Sequence, residues 1–240
     1  MQNHFLIDCL YQMQRAGTHQ QVYAIGESIL RKFNIQNFKY LWQPCPHILQ
    51  APQQSVSCCP EAWMRHYREK QYADIDPKFQ SANKSRKTLV CNAYELIKKS
   101  DTTTQPFWND SINFGLQHGI TIPIKSHLGG DGMLCISLPS NASCRKDTLH
   151  HLSLFEILAH HLQINIERLL IDSNTDIKML SIREIEVLKW TAYGKTADET
   201  AKILSISYTT VLFHLNNARK KLNASNKHQL TARAIALGII

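Results

Sequence analysis

The sequence predicts an α+β protein with two parts: an N-terminal α/β/α sandwich built on an antiparallel sheet, and a C-terminal all-α domain that contains a helix-turn-helix. Three observations support this fold class. Helical and strand periodicities alternate through the larger N-terminal part, short capped helices fill the C-terminal part, and most of the excess positive charge lies there. A length of 240 residues fits two modest domains.

The composition is typical of a folded globular protein, with 43% hydrophobic and 19% charged residues, and excludes a disordered or low-complexity chain. No apolar stretch approaches the ~20 residues of a membrane span, and the residues after Met1 lack the basic and apolar segments of a signal peptide. The seven cysteines form no C-x-x-C pair, so we interpret them as reduced thiols. We therefore expect a cytoplasmic protein without membrane contact.

The net charge of +8 is unevenly distributed along the chain. From Met1 to Ile177 there are 17 Lys and Arg against 15 Asp and Glu, whereas from Lys178 to Ile240 there are 10 against 4. A compact basic module attached to a nearly neutral body indicates a polyanionic partner, most often nucleic acid. A solubilising surface would carry the same charge, so a motif has to decide between the two.

The N-terminal part begins with a helix followed by a strand. Apolar residues recur at helical spacing at Val22, Ile25, Ile29, Leu30 and Phe33. The period then changes to two, which predicts a largely buried strand with Phe38, Tyr40 and Trp42 on one face.

Further helices and strands alternate after this strand. In order, the sequence predicts a loop and short edge strand broken by Pro44, Pro46 and Pro52, a helix over Glu61–Gln71, a strand over Thr88–Asn92, a helix over Pro106–His118, and strands over Ile120–Ile124 and Gly132–Leu138. Gly129 and Gly130 predict a hairpin between the last two strands. Helices flanking an antiparallel sheet make a core large enough to enclose a small ligand.

The longest helical pattern runs from Asp147 to Ile171 and carries two apolar stripes. The first contains Leu152, Phe155, Leu158, Leu162, Ile166 and Leu169, and the second contains Leu154, Ile157, Ile164 and Ile171. One stripe is enough to cover a sheet, so the second predicts a homodimer interface, the alternative being a wide core-facing surface. The polar segment Asp172–Asp176 predicts an interdomain linker.

The last part of the sequence predicts four short helices. Ser181 and Glu184 form a capping box at the start of the first. This first helix has Ile185, Leu188 and Ala192 on one inward face and ends at Gly194. The second helix carries Glu199, Ala201, Ile203 and Leu204 and is followed by a turn over Ser205–Ser207. The third helix runs from about Tyr208 to Leu222, and the fourth from about Lys227 to Leu237. The second and third helices predict a helix-turn-helix whose second helix enters a major groove.

These residues resemble the LuxR family of bacterial quorum-sensing transcription regulators. The C-terminal similarity covers Arg183–Thr196, Ile203–Ser207, Thr210-Val211, His214 and Lys221-Leu222. In the N-terminal part, the pattern Pro60-Glu61-Ala62-Trp63-x3-Tyr67-x8-Asp76-Pro77 and Gly119 resemble the family's autoinducer-binding domain. The resemblance implies an autoinducer-binding domain over 1–171, a linker over 172–178 and a DNA-binding domain over 179–240.

The resemblance also implies that the signal is an N-acyl-homoserine lactone, with no further cofactor. By analogy, the Trp63 indole N–H donates to the lactone carbonyl, Asp76 accepts from the ligand amide N–H, and Tyr67 lines the acyl pocket. Buried polar groups of a ligand require such a donor and acceptor. Asp76 has an alternative role as a helix or turn cap beside Pro77.

Three cysteines occupy pocket positions of the family. Cys59 stands where a tyrosine is usual, Cys91 stands where a second tryptophan is usual, and Cys135 stands at a strand position that is often Ser or Thr. Each swap removes a strong hydrogen-bonding group or a large ring and leaves a small thiol, so we expect a roomier and less polar pocket.

The residues predicted to contact DNA are Thr196, Ser207, Thr209, Thr210, Leu212, His214, Asn216, Asn217, Arg219 and Lys220. Hydroxyls near a helix N-terminus bind phosphate oxygens with help from the helix dipole. Leu212 and Tyr208 stand where Lys and Glu are common in the family, which predicts weaker binding or a shifted sequence preference. The expected partners are double-stranded DNA, the autoinducer and a second copy of the chain, with RNA polymerase as a further candidate.

Other classes of function have less support in the sequence. A cysteine hydrolase using Cys58 or Cys59 lacks a recognisable motif with a histidine and a carboxylate, so we assign no enzyme activity and no catalytic residue. A zinc site built from the histidine pairs at 150–151 and 160–161 has no supporting cysteine spacing, so we assign no metal. A phosphorylated receiver would need an early acidic cluster, which is missing. Within the family, a ligand-independent regulator is the alternative.

Overall fold

The structure is a computed structural model that describes residues 2–45, 52–126, 128–173 and 180–240. The chain divides into two compact units, the first containing the sheet and the second containing the last four helices. Most of the predicted linker, 172–178, lies outside the described residues, so the domain boundary stays a prediction.

The described residues up to Ser173 contain five strands and eight α-helices, besides two short 3-10 helices. The helices are α1 (Gln2–Arg15), α2 (His19–Lys32), α3 (Glu61–Glu69), α4 (Pro77–Ser85), α5 (Ala93–Leu96), α6 (Gln105–Asn113), α7 (Ala142–Leu149) and α8 (Leu152–Ser173). The strands are β1 (Phe38–Gln43), β2 (Gln54–Ser57), β3 (Leu89–Asn92), β4 (His118–Ile124) and β5 (Asp131–Ser137). None of the helices in the described ranges is long and apolar enough to cross a membrane.

The sheet is antiparallel, in the order β2-β1-β5-β4-β3, which confirms the predicted architecture. The alternation of β1 buries Tyr40 and Trp42 on one face, where the Tyr40 hydroxyl donates to Gln163 of α8 at 2.8 Å. Helix α2 packs closely on α8, because a Cβ at Gly26 would lie 2.8 Å from the Leu162 side chain. Helices α2 and α8 therefore cover this face, and α3, α4 and α6 lie over the opposite one.

The helix predicted over Pro106–His118 is shorter in the structure. It ends at Asn113, because Gly115 adopts a left-handed φ of 75° and His118 already begins β4. The adjoining hairpin prediction holds, with φ of 70° at Gly129 and 85° at Gly130.

The single helix predicted over Asp147–Ile171 is two helices, α7 and α8. The break lies at His150 and His151, where the His151 N–H bonds to the Thr148 carbonyl at 3.0 Å and the Leu154 N–H bonds to the His151 carbonyl at 3.0 Å. These three-residue turns replace the regular four-residue spacing and redirect the chain.

The second unit contains α9 (Ile182–Ala192), α10 (Ala197–Leu204), α11 (Tyr208–Lys221) and α12 (Lys227–Ala236). The capping box of Ser181 and Glu184 is confirmed, and Thr196 forms a second one on α10. Ala192 is exposed, contrary to the prediction, because Leu188 and Thr191 face the core and the next residue is rotated by about 100°.

Candidate ligand cavity and nucleic-acid interface

A cavity lies between the sheet and helices α3, α4 and α6, on the face opposite Tyr40. All six residues predicted to contact a ligand line it: Cys59, Trp63, Tyr67, Asp76, Cys91 and Cys135. Strand pairing sets Cys135 opposite Lys39 of β1 and Thr121 of β4, so these three side chains lie in one row along the cavity wall. The fold thus gathers residues that are far apart in the sequence around one space.

Helix α3 supplies the aromatic wall of the cavity. Trp63 and Tyr67 are four residues apart and share one helix face, with ring centroids 5.8 Å apart in an edge-on arrangement. Both side chains are buried. Among the described residues, the Trp63 indole N–H has no hydrogen-bond acceptor, so a ligand oxygen could accept from it.

Asp76 lies where the cavity meets the start of α4. One of its carboxylate oxygens accepts from the Lys78 backbone N–H at 2.9 Å and the other accepts from the Tyr67 hydroxyl at 3.0 Å, while the side chain is only 4% exposed. Asp76 therefore is the helix cap that the sequence offered as an alternative, and it also faces the cavity. Burial and the neighbouring Asp76 charge raise the pKa of Tyr67, so its hydroxyl stays a donor.

The three cysteines line the cavity on different sides. The Cys135 sulfur lies 3.6 Å from the Thr121 hydroxyl, and the Cys59 sulfur lies 3.6 Å from the Phe38 carbonyl oxygen. Burial raises the pKa of Cys135 to about 11 and also raises the pKa of Cys91. Within the described ranges, no three His, Cys, Asp or Glu side chains are grouped to hold a metal ion.

The expectation of a less polar pocket applies only to the cysteine positions, and two lysines that the sequence analysis did not consider line the same space. The Lys39 ammonium nitrogen lies 4.5 Å from the centroid of the Tyr67 ring, and the Lys78 ammonium nitrogen lies 5.0 Å from that of Phe107. The period-two alternation of β1 could have placed Lys39 on this wall, since Phe38 and Tyr40 face the other way. No comparable signal was available for Lys78.

Helices α10 and α11 form the predicted helix-turn-helix. Ser205 ends α10 in the left-handed region, with φ of 54°, and Ser207 caps α11 by accepting from the Thr210 N–H at 3.0 Å. The Ser207 oxygen also lies 2.7 Å from the hydroxyls of Thr209 and Thr210. Three hydroxyls therefore meet at the N-terminus of α11, where the helix dipole favours a phosphate.

The remaining residues predicted to contact DNA differ in how far they are free to do so. On the solvent face of α11 lie Thr209, Leu212, Asn216 and Lys220, while His214 and Asn217 are half-buried and Thr196 is exposed but caps α10. Arg219 is half-buried and donates to the Ser225 carbonyl at 3.1 Å. Lys221, two residues further on, pairs with Glu184 at 2.8 Å, so Lys220 is the freest cation of this basic run.

One exposed aromatic residue on α11, Phe213, was missed by the sequence analysis. Phe213 is 61% exposed and follows the buried Val211 by two positions. The helical period gives the signal, since a residue two positions after an inward one points about 200° away from the core. An exposed aromatic ring on such a helix can contact a thymine methyl group.

Family comparisons agree with both parts of the chain. Residues 18–165 match a family described as the autoinducer binding domain, and residues 178–234 match one described as bacterial regulatory proteins, luxR family. The regulatory protein SdiA of Escherichia coli is 36% identical over 193 residues, which cover 75% of this chain and 74% of SdiA. The quorum-sensing regulator RhlR of Pseudomonas aeruginosa is 30% identical over 233 residues, which cover 95% of this chain and 93% of RhlR.

Solved structures of SdiA resemble the whole chain. A crystal structure of Escherichia coli SdiA superposes with a TM-score of 0.69 at 30% identity and covers 99% of this chain and 98% of SdiA. A second structure, SdiA in complex with octanoyl-rac-glycerol, gives a TM-score of 0.65 at 28% identity and covers 97% of this chain and 94% of the SdiA chain.

Proposed function

Because the chain belongs to the LuxR family of autoinducer-binding transcription regulators, we propose that an N-acyl-homoserine lactone bound in the N-terminal cavity controls how the protein binds DNA. The observation that carries this proposal is the meeting of Trp63, Tyr67 and Asp76 around one cavity. Relatives that cover most of the chain are regulatory proteins, and the two family models that match describe an autoinducer-binding domain and bacterial regulatory proteins.

The chemistry of the cavity suits an acylated amide. The free indole N–H of Trp63 would donate to the lactone carbonyl, and Asp76 would accept from the ligand amide N–H. A carboxylate has room for such a bond beside its two protein donors, because its two oxygens offer about four acceptor sites. Tyr67 orients that carboxylate through its hydroxyl and covers the ligand with its ring.

Asp76→Asn tests this proposal directly. Asparagine caps a helix as well as aspartate does, so α4 should keep its start, while the charge-assisted bond to the ligand amide is lost. Such bonds contribute about 1.5–3 kcal/mol, so sensitivity to the lactone should fall about 10- to 150-fold in a reporter dose–response curve. Trp63→Phe should cost less, because the ring still packs and only the N–H is lost.

Asp74→Asn is the matched control, because Asp74 is exposed and lies outside the cavity lining. It should leave the dose–response curve unchanged at equal protein level. An Asp76→Asn protein that responds like the wild type would contradict the assigned role. A reporter that ignores every acyl-homoserine lactone would favour the ligand-independent regulator instead.

We propose further that the regulator acts in the cytoplasm as a homodimer that inserts α11 into the major groove of double-stranded DNA. Exposed Ile157 and Ile164 on α8 support a second copy, because they lie seven residues apart on one face. The exposed Lys220 and the hydroxyls at the N-terminus of α11 support phosphate contacts. Contact with RNA polymerase would follow if the regulator activates transcription.

A further inference from the structure

The charged residues of the cavity are out of balance. Among the described residues that line it, Lys39 and Lys78 are cationic and Asp76 is the one carboxylate. His118 also lines the cavity, but burial and then the Arg145 charge lower its pKa, which leaves the ring neutral near pH 7. The lining therefore carries one excess positive charge.

Neither lysine has an obvious structural reason to be there. Lys39 lies on β1, which has neighbours on both sides in the sheet, so it does not protect an exposed edge. Lys78 lies in the first turn of α4, where the positive end of the helix dipole disfavours a cation.

Neither ammonium group directly contacts an anionic side chain of the described residues. Burial lowers the pKa of Lys78, but nearby negative charge, chiefly that of Asp76, outweighs it and raises that pKa above its usual value. Within the described chain, neither makes an ion pair within 4.0 Å or a side-chain hydrogen bond, and each lies instead over an aromatic ring. Asp76, the nearby carboxylate, is already held by the Tyr67 hydroxyl and the Lys78 backbone N–H. Partly buried charges are normally paired, so a place for an anion is left open.

Both lysines act on the same spot in the cavity. Lys39 lies directly opposite Cys135 in the pairing of β1 with β5. Lys78 lines the same cavity, and burial together with the Asp76 charge raises the pKa of Cys135, while the charges of Lys78 and Lys39 partly oppose that rise. On the same wall, the buried Gln117 side-chain oxygen has no partner and offers an acceptor.

We propose that this cavity binds an acyl compound whose head group carries a carboxylate, held by the ammonium groups of Lys39 and Lys78. The ring-opened form of an N-acyl-homoserine lactone is the simplest member of this class, because hydrolysis of the lactone creates the carboxylate and keeps the amide and acyl chain. This inference rests on the proposed function, in that the cavity takes an acyl signal. The competing role for the lysines is donation to the carbonyl groups of a neutral ligand.

Calorimetry on the purified full chain separates these roles with three probes that share one acyl chain. The probes are N-octanoyl-homoserine lactone, its ring-opened carboxylate, and the neutral open-chain amide N-octanoyl-homoserinamide, measured at mildly acidic pH where the lactone stays closed. A charge-assisted bond to the carboxylate should make it bind about 10-fold or more tightly than the amide. Equal or tighter binding of the neutral probes would overturn the inference and leave the proposed function standing.

The variants Lys39→Met, Lys78→Met and the double variant assign the preference to these residues. Methionine keeps the length of the side chain and removes the charge, so the double variant should lose the preference for the carboxylate and still bind the amide, which reports an intact cavity. Lys84→Met, at an exposed position on the same helix α4, should keep the preference. A preference that survives in the double variant would overturn the assignment. Failure of the wild type to bind any of the three probes would count against both proposals.

Discussion

At the scale of single residues, Asp76 illustrates how far a sequence pattern reaches. The spacing of Trp63, Tyr67 and Asp76 predicted a shared site, and the cap was predictable because Pro77 follows directly. The Lys78 ammonium was not predictable, because a lysine after Asp-Pro is usually solvated. Its direction depends on how α4 lies against the sheet, which no local pattern specifies.

Glu184 allows a prediction on the pH dependence of stability. It is 4% exposed, accepts from the Ser181 N–H at 2.7 Å and pairs with Lys221 at 2.8 Å, which joins the start of α9 to the end of α11. Burial raises the pKa of Glu184, but the bonds from Lys221 and Ser181 outweigh it and leave the pKa below its usual value. The folded state therefore gains stability above the unfolded pKa of Glu184 and loses it as the pH falls through the folded pKa.

Glu184→Gln should lower the free energy of unfolding of the C-terminal unit by about 1–3 kcal/mol near pH 7, because it leaves the partly buried Lys221 without a counter-charge. Denaturant titrations at several pH values should show this difference shrinking below the usual glutamate range. Glu186→Gln removes an exposed pair with Arg183 on the same helix and should cost far less. A pH-independent difference would mean that the carboxylate charge is not what matters.

At the scale of elements, predictability followed the strength of the periodicity. The strand β1 and the β4–β5 hairpin were predicted because alternation and paired glycines are local signals. The break between α7 and α8 was missed because it has neither Pro nor Gly and depends on three-residue turns at His150 and His151. Helix α1 was not predicted either, because its apolar residues show only a weak helical periodicity and the helix is defined by its packing on α2.

Helix α8 permits a prediction about assembly. Ile157 is 46% exposed and Ile164 is 52% exposed, whereas the first stripe is buried at Phe155, Leu158 and Leu162. Replacing both isoleucines with Glu should leave the fold intact and yield monomers in sedimentation experiments, with weaker binding to a two-half-site operator. Glu at Ile7, an exposed isoleucine on the separate helix α1, is the control and should leave the dimer unchanged. Unchanged sedimentation of the double variant would exclude this face as the interface.

At the scale of the whole molecule, the charge distribution in the sequence already separated the two functions. The basic excess lies after residue 177, and the structure adds that only part of it is free, because Arg219 and Lys221 are held by the protein itself. The two cavity lysines, by contrast, could not be recognised from charge counts, because the N-terminal part has nearly equal numbers of basic and acidic residues. The net charge of a domain therefore indicates which partners its surface binds, but it does not reveal charged residues inside a cavity.

The fragment from Lys178 to Ile240 should therefore bind DNA alone, weakly and with a steep salt dependence. Lys220→Ala should reduce the slope of log affinity against log salt by about one, as expected for one lost phosphate contact, and Lys202→Ala on α10 should not. Fluorescence anisotropy with a labelled duplex measures both. DNA binding by the N-terminal fragment and not by this one would overturn the division of roles.

The buried Arg233 of α12 has a consequence for genetics. Its guanidinium donates to the carbonyls of Leu222 and Asn223 at 2.6 Å each and so holds the end of α11 in place. A stop codon at any position from 223 to 233 would spare every residue on the reading face of α11 and still release that helix. Late nonsense alleles in this range should consequently behave as complete loss of function, even though the missing piece contains none of the residues assigned to the signal or the operator.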